Sequence, residues 1–341
     1  TTATNSFNTA IGYTAGGSVT TGTRNTLIGA LSGDNLTTGV KNVAVGTGAL
    51  GGDDVGSRST AVGDSALGSQ NFATATDSYN TAVGNNAGLS VTIGTLNTFV
   101  GGLSGDALTE GAENVAMGVN ALGTDTKGSF STALGGNALQ TQNFTTATNA
   151  YNTGVGFAAG KLITTGVENT LIGAQVGDAL TDADYNVAVG AFALGIDTLG
   201  SNSTAFGYFA LGSQNFTTAT DSYNTAIGWN AGGGITTSTF NTLIGGLSGD
   251  ALTVGNKNTA LGYNTLSTDT KGDRNVAIGT DALGTQNFTT STDSYNTAVG
   301  FAAGGAITTG TANVLMGGLA GDALTTGTNN TAIGHEALST E

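Results

Sequence analysis

The chain has 341 residues, 58 of them Gly, with no Pro, no Cys, 9% charged residues and a formal net charge of −15. So acidic a balance excludes nucleic acid as the expected partner, because eight Lys and Arg residues cannot neutralise a run of phosphates. The lack of Cys excludes disulfides as the source of stability. No apolar stretch approaches the ~18 residues of a membrane-spanning helix, and no signal-peptide pattern is visible.

In chain order, pentads ending in Gly begin at Asn8, Asn25, Asn42 and Ser59, each 17 residues after the last, and the next begins at Asn80 after 21. The cycle repeats at Asn97, Asn114, Ser131, Asn152, Asn169, Asn186, Ser203, Asn224, Asn241, Asn258, Asn275, Asn296, Asn313 and Asn330. Asn-Phe pairs at Phe72, Phe144, Phe216 and Phe288 mark the same 72-residue frame. Fixed periods of this size indicate stacked repeats. The predicted fold is all-β: a parallel β-solenoid (β-roll or β-helix) of about 19 coils with 17/17/17/21-residue turns. It is expected to run as one uninterrupted array over 1–341, with superrepeats 1–70 (partial), 71–142, 143–214, 215–286 and 287–341 (partial). Regular β-branched positions argue against disorder, and the absence of Pro fits a ladder that uses every N–H. At about 4.8 Å per strand the coils would form a rod on the order of 90 Å long. Phe7 falls where Tyr79 falls later, so the chain opens partway through a superrepeat. This is the expectation for a stretch of a longer array or a processed subunit.

With the pentad Gly numbered zero, position −3 is always Thr or Val and −1 always a large apolar residue. Two residues apart on a strand, they share a face, which is expected to line the interior. Position +3 is small, as in Ala15, Ser32, Ala49 and Ala66, and suits a narrow interior. The Gly is expected to permit a bend or a close backbone approach. Asn at −4 (Asn8, Asn25, Asn42, Asn80, Asn97, Asn114, Asn152, Asn169 and Asn186 among them) is expected to form a structural ladder from coil to coil. Position −2 is then outward, yet never polar, and turns bulky once per superrepeat at Leu27, Phe99, Leu171, Leu243 and Leu315. That stripe is expected to be a seam between identical chains, the alternative being a strand buried on both faces within one chain.

The pentad Asn-Thr-Ala-Val-Gly, followed by Ala-Leu and a Thr-Thr-Gly turn (Thr37 to Gly39, Thr164 to Gly166, Thr308 to Gly310), resembles the short repeats of phage tail-fibre proteins. It is also similar to the head repeats of trimeric autotransporter adhesins. The resemblance covers the whole chain and implies a left-handed parallel β-roll, a homotrimer, and an extracellular or virion-surface location. The adhesin unit is shorter, and no coiled-coil stalk or membrane-anchor pattern is recognisable within these residues.

Catalysis has little to work with: one His (His335), one Trp (Trp229) and no Cys, so an enzyme is not expected. Asp recurs in register at Asp34, Asp106, Asp178, Asp250 and Asp322, and at Asp53, Asp125, Asp197 and Asp269. These are expected to be solvated turn residues that blunt lateral aggregation, with calcium the alternative cofactor. The long coil brackets a Thr-rich run with two aromatics: Phe72 and Tyr79, Phe144 and Tyr151, Phe216 and Tyr223, Phe288 and Tyr295. These eight are the candidate ligand or glycan contacts, since aromatic faces beside hydroxyls suit sugars; the alternative is that they cover their own coil. Asn143-Phe-Thr and its counterparts also match the glycosylation acceptor pattern. The leading functional expectation is a structural fibre that self-associates as a homotrimer or end to end. An adhesin recognising surface glycans through the long coils is the second, and an ice-binding solenoid a distant third.

Overall fold

The computed structural model describes residues 5–340. The chain divides into two compact units, Thr1–Asn169 and Thr170–Glu341. Each unit is a parallel β-solenoid, and together they comprise about 19 turns. No helix occurs among the described residues. In the first unit, nine three-residue strands run from Thr9–Ile11 to Thr153–Val155. Ten strands, Thr170–Ile172 to Thr331–Ile333, form the sheet of the second. Successive strands pair parallel with no slip, so Leu27 lies opposite Ala44 and Leu243 opposite Ala260. Each long coil adds a two-residue strand, such as Thr76–Asp77, paired with Gly56–Ser57 of the coil before it. The N–H groups beyond the strands are also used between coils: Gly29 donates to the Ile11 carbonyl at 2.8 Å and Leu31 to that of Tyr13 at 2.9 Å. A Pro in such a ladder would remove a bond from every coil it entered.

The interior is opposite to the sequence expectation. Strand after strand reads half-exposed, buried, half-exposed. Position −2 is therefore the inward one, while −3 and −1 face out. Leu27, Phe99, Leu171, Leu243 and Leu315 are 0–1% exposed within their own chain, so they form no seam with another. The expected small residues at +3 do line the interior, with Ser32, Ala49 and Ala66 fully buried.

Volume conservation explains the bulky residue. Coils with Ala at −2 and an ordinary neighbour carry a buried Leu at +4, as in Ala116 with Leu122 and Ala133 with Leu139. Twice per superrepeat, +4 is Gly instead, and one large −2 side chain fills both gaps. A Cβ on Gly88 would lie 2.8 Å from Phe99 Cδ2, and one on Gly105 2.6 Å from Phe99 Cδ1. Leu27 stands in the same relation to Gly16 and Gly33, at 2.7 and 2.8 Å. Interiors are packed to near-crystal density, so a void or an excess at either position is felt.

Among the residues of positive φ that bend each coil, two kinds flank the strand. The pentad Gly has φ of +131° at Gly29, a region closed to other residues, and a Cβ there would come 2.5 Å from the Gly46 carbonyl oxygen. The residue before the −4 Asn adopts the left-handed conformation although it is never Gly: Arg24 has φ +62°, Lys41 +61° and Tyr79 +51°. That geometry turns the corner side chain outward and the following Asn inward. Left-handed non-Gly residues carry strain of order 1 kcal/mol each, which coil-to-coil bonds must offset.

Phe99→Ala is expected to cost about 4 kcal/mol in chemical denaturation, from lost burial plus a cavity. Adding Gly105→Leu should recover about half, because Leu already occupies the +4 corner in the left-handed region at Leu50, where φ is +54°. A Phe99→Ala cost below about 1 kcal/mol would contradict an interior role.

Candidate functional site

The polar interior begins with the Asn column. The Oδ1 of Asn8 accepts from the backbone N–H of Asn25, that of Asn25 from Asn42, that of Asn80 from Asn97 and that of Asn97 from Asn114, all at 2.9–3.0 Å. Asn152 does the same for Asn169. The side-chain amides also donate to carbonyls 14 residues on, as in Asn25 to Gly39, Asn114 to Gly128 and Asn186 to Gly200, at 2.9 Å. One residue thus satisfies a strand-leading N–H and a turn carbonyl, both buried, where an unmade bond would cost about 1–3 kcal/mol.

Ser59, Ser131 and Ser203 lack that amide, and the long coil supplies a replacement. Gln142 Nε2 donates to Ser131 Oγ at 2.9 Å and to Asp125 Oδ2 at 2.6 Å, while its Oε1 accepts from Asn152 Nδ2 at 2.9 Å. The other Asp125 oxygen accepts from the N–H groups of Gly128 and Phe144, at 3.0 and 3.1 Å. Gln70 with Asp53 and Gln214 with Asp197 repeat the arrangement. In the fourth instance Gln286 keeps its bond to Asp269 at 2.5 Å, and Asn275, in the place of Ser, accepts from Ser294 Oγ. Asp53, Asp125, Asp197 and Asp269 are therefore fully buried hydrogen-bond acceptors, and the expectation of solvated turn carboxylates fails for this column. Burial forces them to be bonded. The glutamines went unrecognised in the sequence; a side-chain amide recurring in every superrepeat whose −4 position lacks one was the available signal.

The eight candidate ligand contacts separate into two sets. Phe72, Phe144, Phe216 and Phe288 are 5–6% exposed. Their rings lie over the coil below, where a Cβ on Gly128 would meet Phe144 at 2.9 Å. They are lids over the buried carboxylates, with little surface left to offer a ligand. Tyr79, Tyr151, Tyr223 and Tyr295 are about half exposed and occupy the left-handed corners. There they stack on neighbours in the same column: Tyr151 on Phe130 with centroids 5.2 Å apart, Tyr223 on Phe240 at 5.5 Å. Arg58 and Arg274 lie over Tyr79 and Tyr295, at 5.4 and 5.5 Å.

Neither chemistry-bearing singleton is part of a constellation. His335 is exposed and lies 3.7 Å from Glu336, and Trp229, which like His335 directly follows its pentad Gly, is 56% exposed. Among the described residues no group of three or more His, Cys, Asp or Glu side chains could hold a metal ion, and no helix is long and apolar enough to cross a membrane. No protein-family model matches the chain, and comparison with curated proteins finds no match.

Burial raises the carboxyls of Asp53, Asp106 and Asp250 above the ordinary 3.8; at Asp53 hydrogen bonds from Gln70, Gly56 and Phe72 oppose it. A group that holds its proton more tightly when folded adds stability as pH falls through the raised value, and loses it as pH rises. The thermal midpoint is therefore expected to rise on acidification from neutrality into the window just above 3.8. Asp106→Asn with Asp250→Asn should flatten that dependence. A midpoint that falls steadily over the same range would contradict the assignment.

Proposed function

We propose that the chain is a shaft segment of a self-associating fibre, displayed outside the cell or on a virion surface. The observation that carries this reading is the uniformity of the coils. Each inward column is filled by size exchange, and wherever Ser interrupts the Asn column a buried Gln bonds both that Ser and the next Asn. The sequence concentrates its regularity on stacking, and repeat arrays gain stability coil by coil from nearest-neighbour contacts. Stiffness and length are what such a molecule supplies.

Self-association now belongs to the other face of the strand. Positions −3 and −1 carry no charged residue in any coil of a chain whose net charge is −15. They expose large apolar side chains, among them Met117 at 44%, Phe206 at 54% and Leu261 at 44%. Charge elsewhere on the surface makes identical chains repel, so this uncharged stripe is where copies can meet. A homotrimer is the symmetry that the adhesin-like pentad implies.

Met117→Asp and Phe206→Asp are expected to lower the oligomer mass in sedimentation while leaving the β signal in circular dichroism intact. Deleting residues 215–286 joins Gln214 to Asn287 and restores the Gln-Asn-Phe junction. The product should remain folded and be shorter by roughly 19 Å, four coils at about 4.8 Å. A wild-type chain that sediments as a monomer, with both variants unchanged, would overturn the self-association reading. Loss of folding on deletion would overturn the modular shaft.

A further inference from the structure

The corner column, one residue before each pentad, collects more than half of the positive charge the chain has. Five of its eight Lys and Arg residues stand there: Arg24, Lys41 and Arg58 on successive coils of the first unit, Lys257 and Arg274 on successive coils of the second. Elsewhere the column holds aromatic, aliphatic or Asn side chains and two Glu. Successive coils lie about 4.8 Å apart, where like charges side by side are destabilising. A protein this acidic could have interleaved its few cations with carboxylates for stability, and here it clusters them.

Both runs end in the same way. Arg58 Nε pairs with Asp77 at 2.9 Å and its guanidinium covers Tyr79; Arg274 Nε pairs with Asp293 at 3.1 Å, and its Nη1 donates to the Tyr295 hydroxyl at 2.7 Å. These arginines are neutralised and fixed. Arg24, Lys41 and Lys257 are exposed and make no ion pair among the described residues. In the second unit Lys257 lies between the half-exposed Phe240 ring, held flat by its stack on Tyr223, and Arg274. The three border a concavity of about 260 Å³ whose floor includes Asp273. Asp273 stands where Ser57, Ser129 and Ser201 stand in the other superrepeats, and both its oxygens are occupied, by the Asn256 N–H and by Ser291 Oγ.

We propose that these two corner runs bind an acidic glycan, with Lys257, and Arg24 with Lys41, taking a sugar carboxylate or sulfate. In the second unit the adjoining Phe240 ring, one face of which is stacked on Tyr223, takes the C–H face of a pyranose on the other. The cavity suits one sugar ring of a longer chain. A carboxylate set among neutral sugars meets only the local positive patch, because at physiological salt the surrounding negative field is screened beyond about 8 Å. A nucleic acid, charged at every phosphate, would meet the net charge of −15 along its whole length. The inference is independent of the shaft reading, since the corner column does not include positions −3 and −1.

The test is calorimetric titration of the full chain with three probes. They are a uronate-containing oligosaccharide, the same oligosaccharide with its carboxyls reduced to alcohols, and a single-stranded oligonucleotide of equal charge. The uronate oligosaccharide should bind with an affinity that falls as salt rises. The reduced probe should bind at least about tenfold more weakly, as should the uronate probe to the triple variant Arg24→Gln, Lys41→Gln, Lys257→Gln. Unchanged circular dichroism, and retention of binding by Lys257→Arg, would show that the loss is one of charge. The proposal is overturned if the uronate probe does not bind, if the reduced probe binds equally, if the triple variant binds as wild type does, or if the oligonucleotide binds as tightly through the same residues.

Discussion

The rest of the molecule depends on the approach of one backbone to the next at the pentad glycine. Gly29 has its α-carbon so close to the Gly46 carbonyl that a methyl group there would sit 2.5 Å from the oxygen, and its φ of +131° is closed to other residues in any case. Because the chain turns there, the strand that leads into it presents position −2 to the interior and −3 and −1 to the outside. The narrow coil leaves room at −2 for nothing larger than Ala, unless a Gly at +4 in two successive coils makes space for Leu or Phe. Interior packing, and the identity of the outer face, both follow from that corner.

Order along the stack is carried by polar groups. A strand-leading N–H and a turn carbonyl are both buried, and the −4 Asn satisfies the pair with one amide. Where the amide is absent, at Ser59, Ser131 and Ser203, a Gln arrives from the long coil. The Asp beside it is held by that Gln and by two backbone N–H groups. Buried polar networks are stabilising only when complete, so Ser, Gln, Asp and the Phe lid form one unit. The four-residue enlargement of the long coil thus has a structural place before any functional one.

Period, parallel pairing and the number of coils were legible in the sequence, because insertions are absent and Asn, Thr and Gly recur at fixed spacing. The face of the strand was not. Thr or Val at −3 with Ile or Val at −1 is a better apolar pair than Ala at −2, and hydropathy alone assigns it to the core. What decides against it is steric: a coil closed by a glycine corner is too narrow for those side chains, which sequence alternation does not encode. The left-handed corners were hidden for a related reason. Tyr79, Arg24 and Lys41 carry no turn signature, and their φ values are imposed by the ladders on either side. Of the candidate site, Tyr79, Tyr151, Tyr223 and Tyr295 are accessible, while the four Phe residues differ from them only in direction, a property no composition argument reaches. The cation column was also present in the sequence, but only the corner geometry shows that its members share one exposed line.

The inward and outward assignments are most directly separated by circular dichroism and thermal melting of two adjacent variants, Leu243→Asp and Ile244→Asp. Leu243 is fully buried and Ile244 partly exposed on the outer face. Leu243→Asp should lose the cooperative transition, because it puts an unpaired charge in the interior, and Ile244→Asp should keep both its β signal and its transition whatever its oligomeric state. The reverse result, a folded Leu243→Asp and an unfolded Ile244→Asp, would contradict the account.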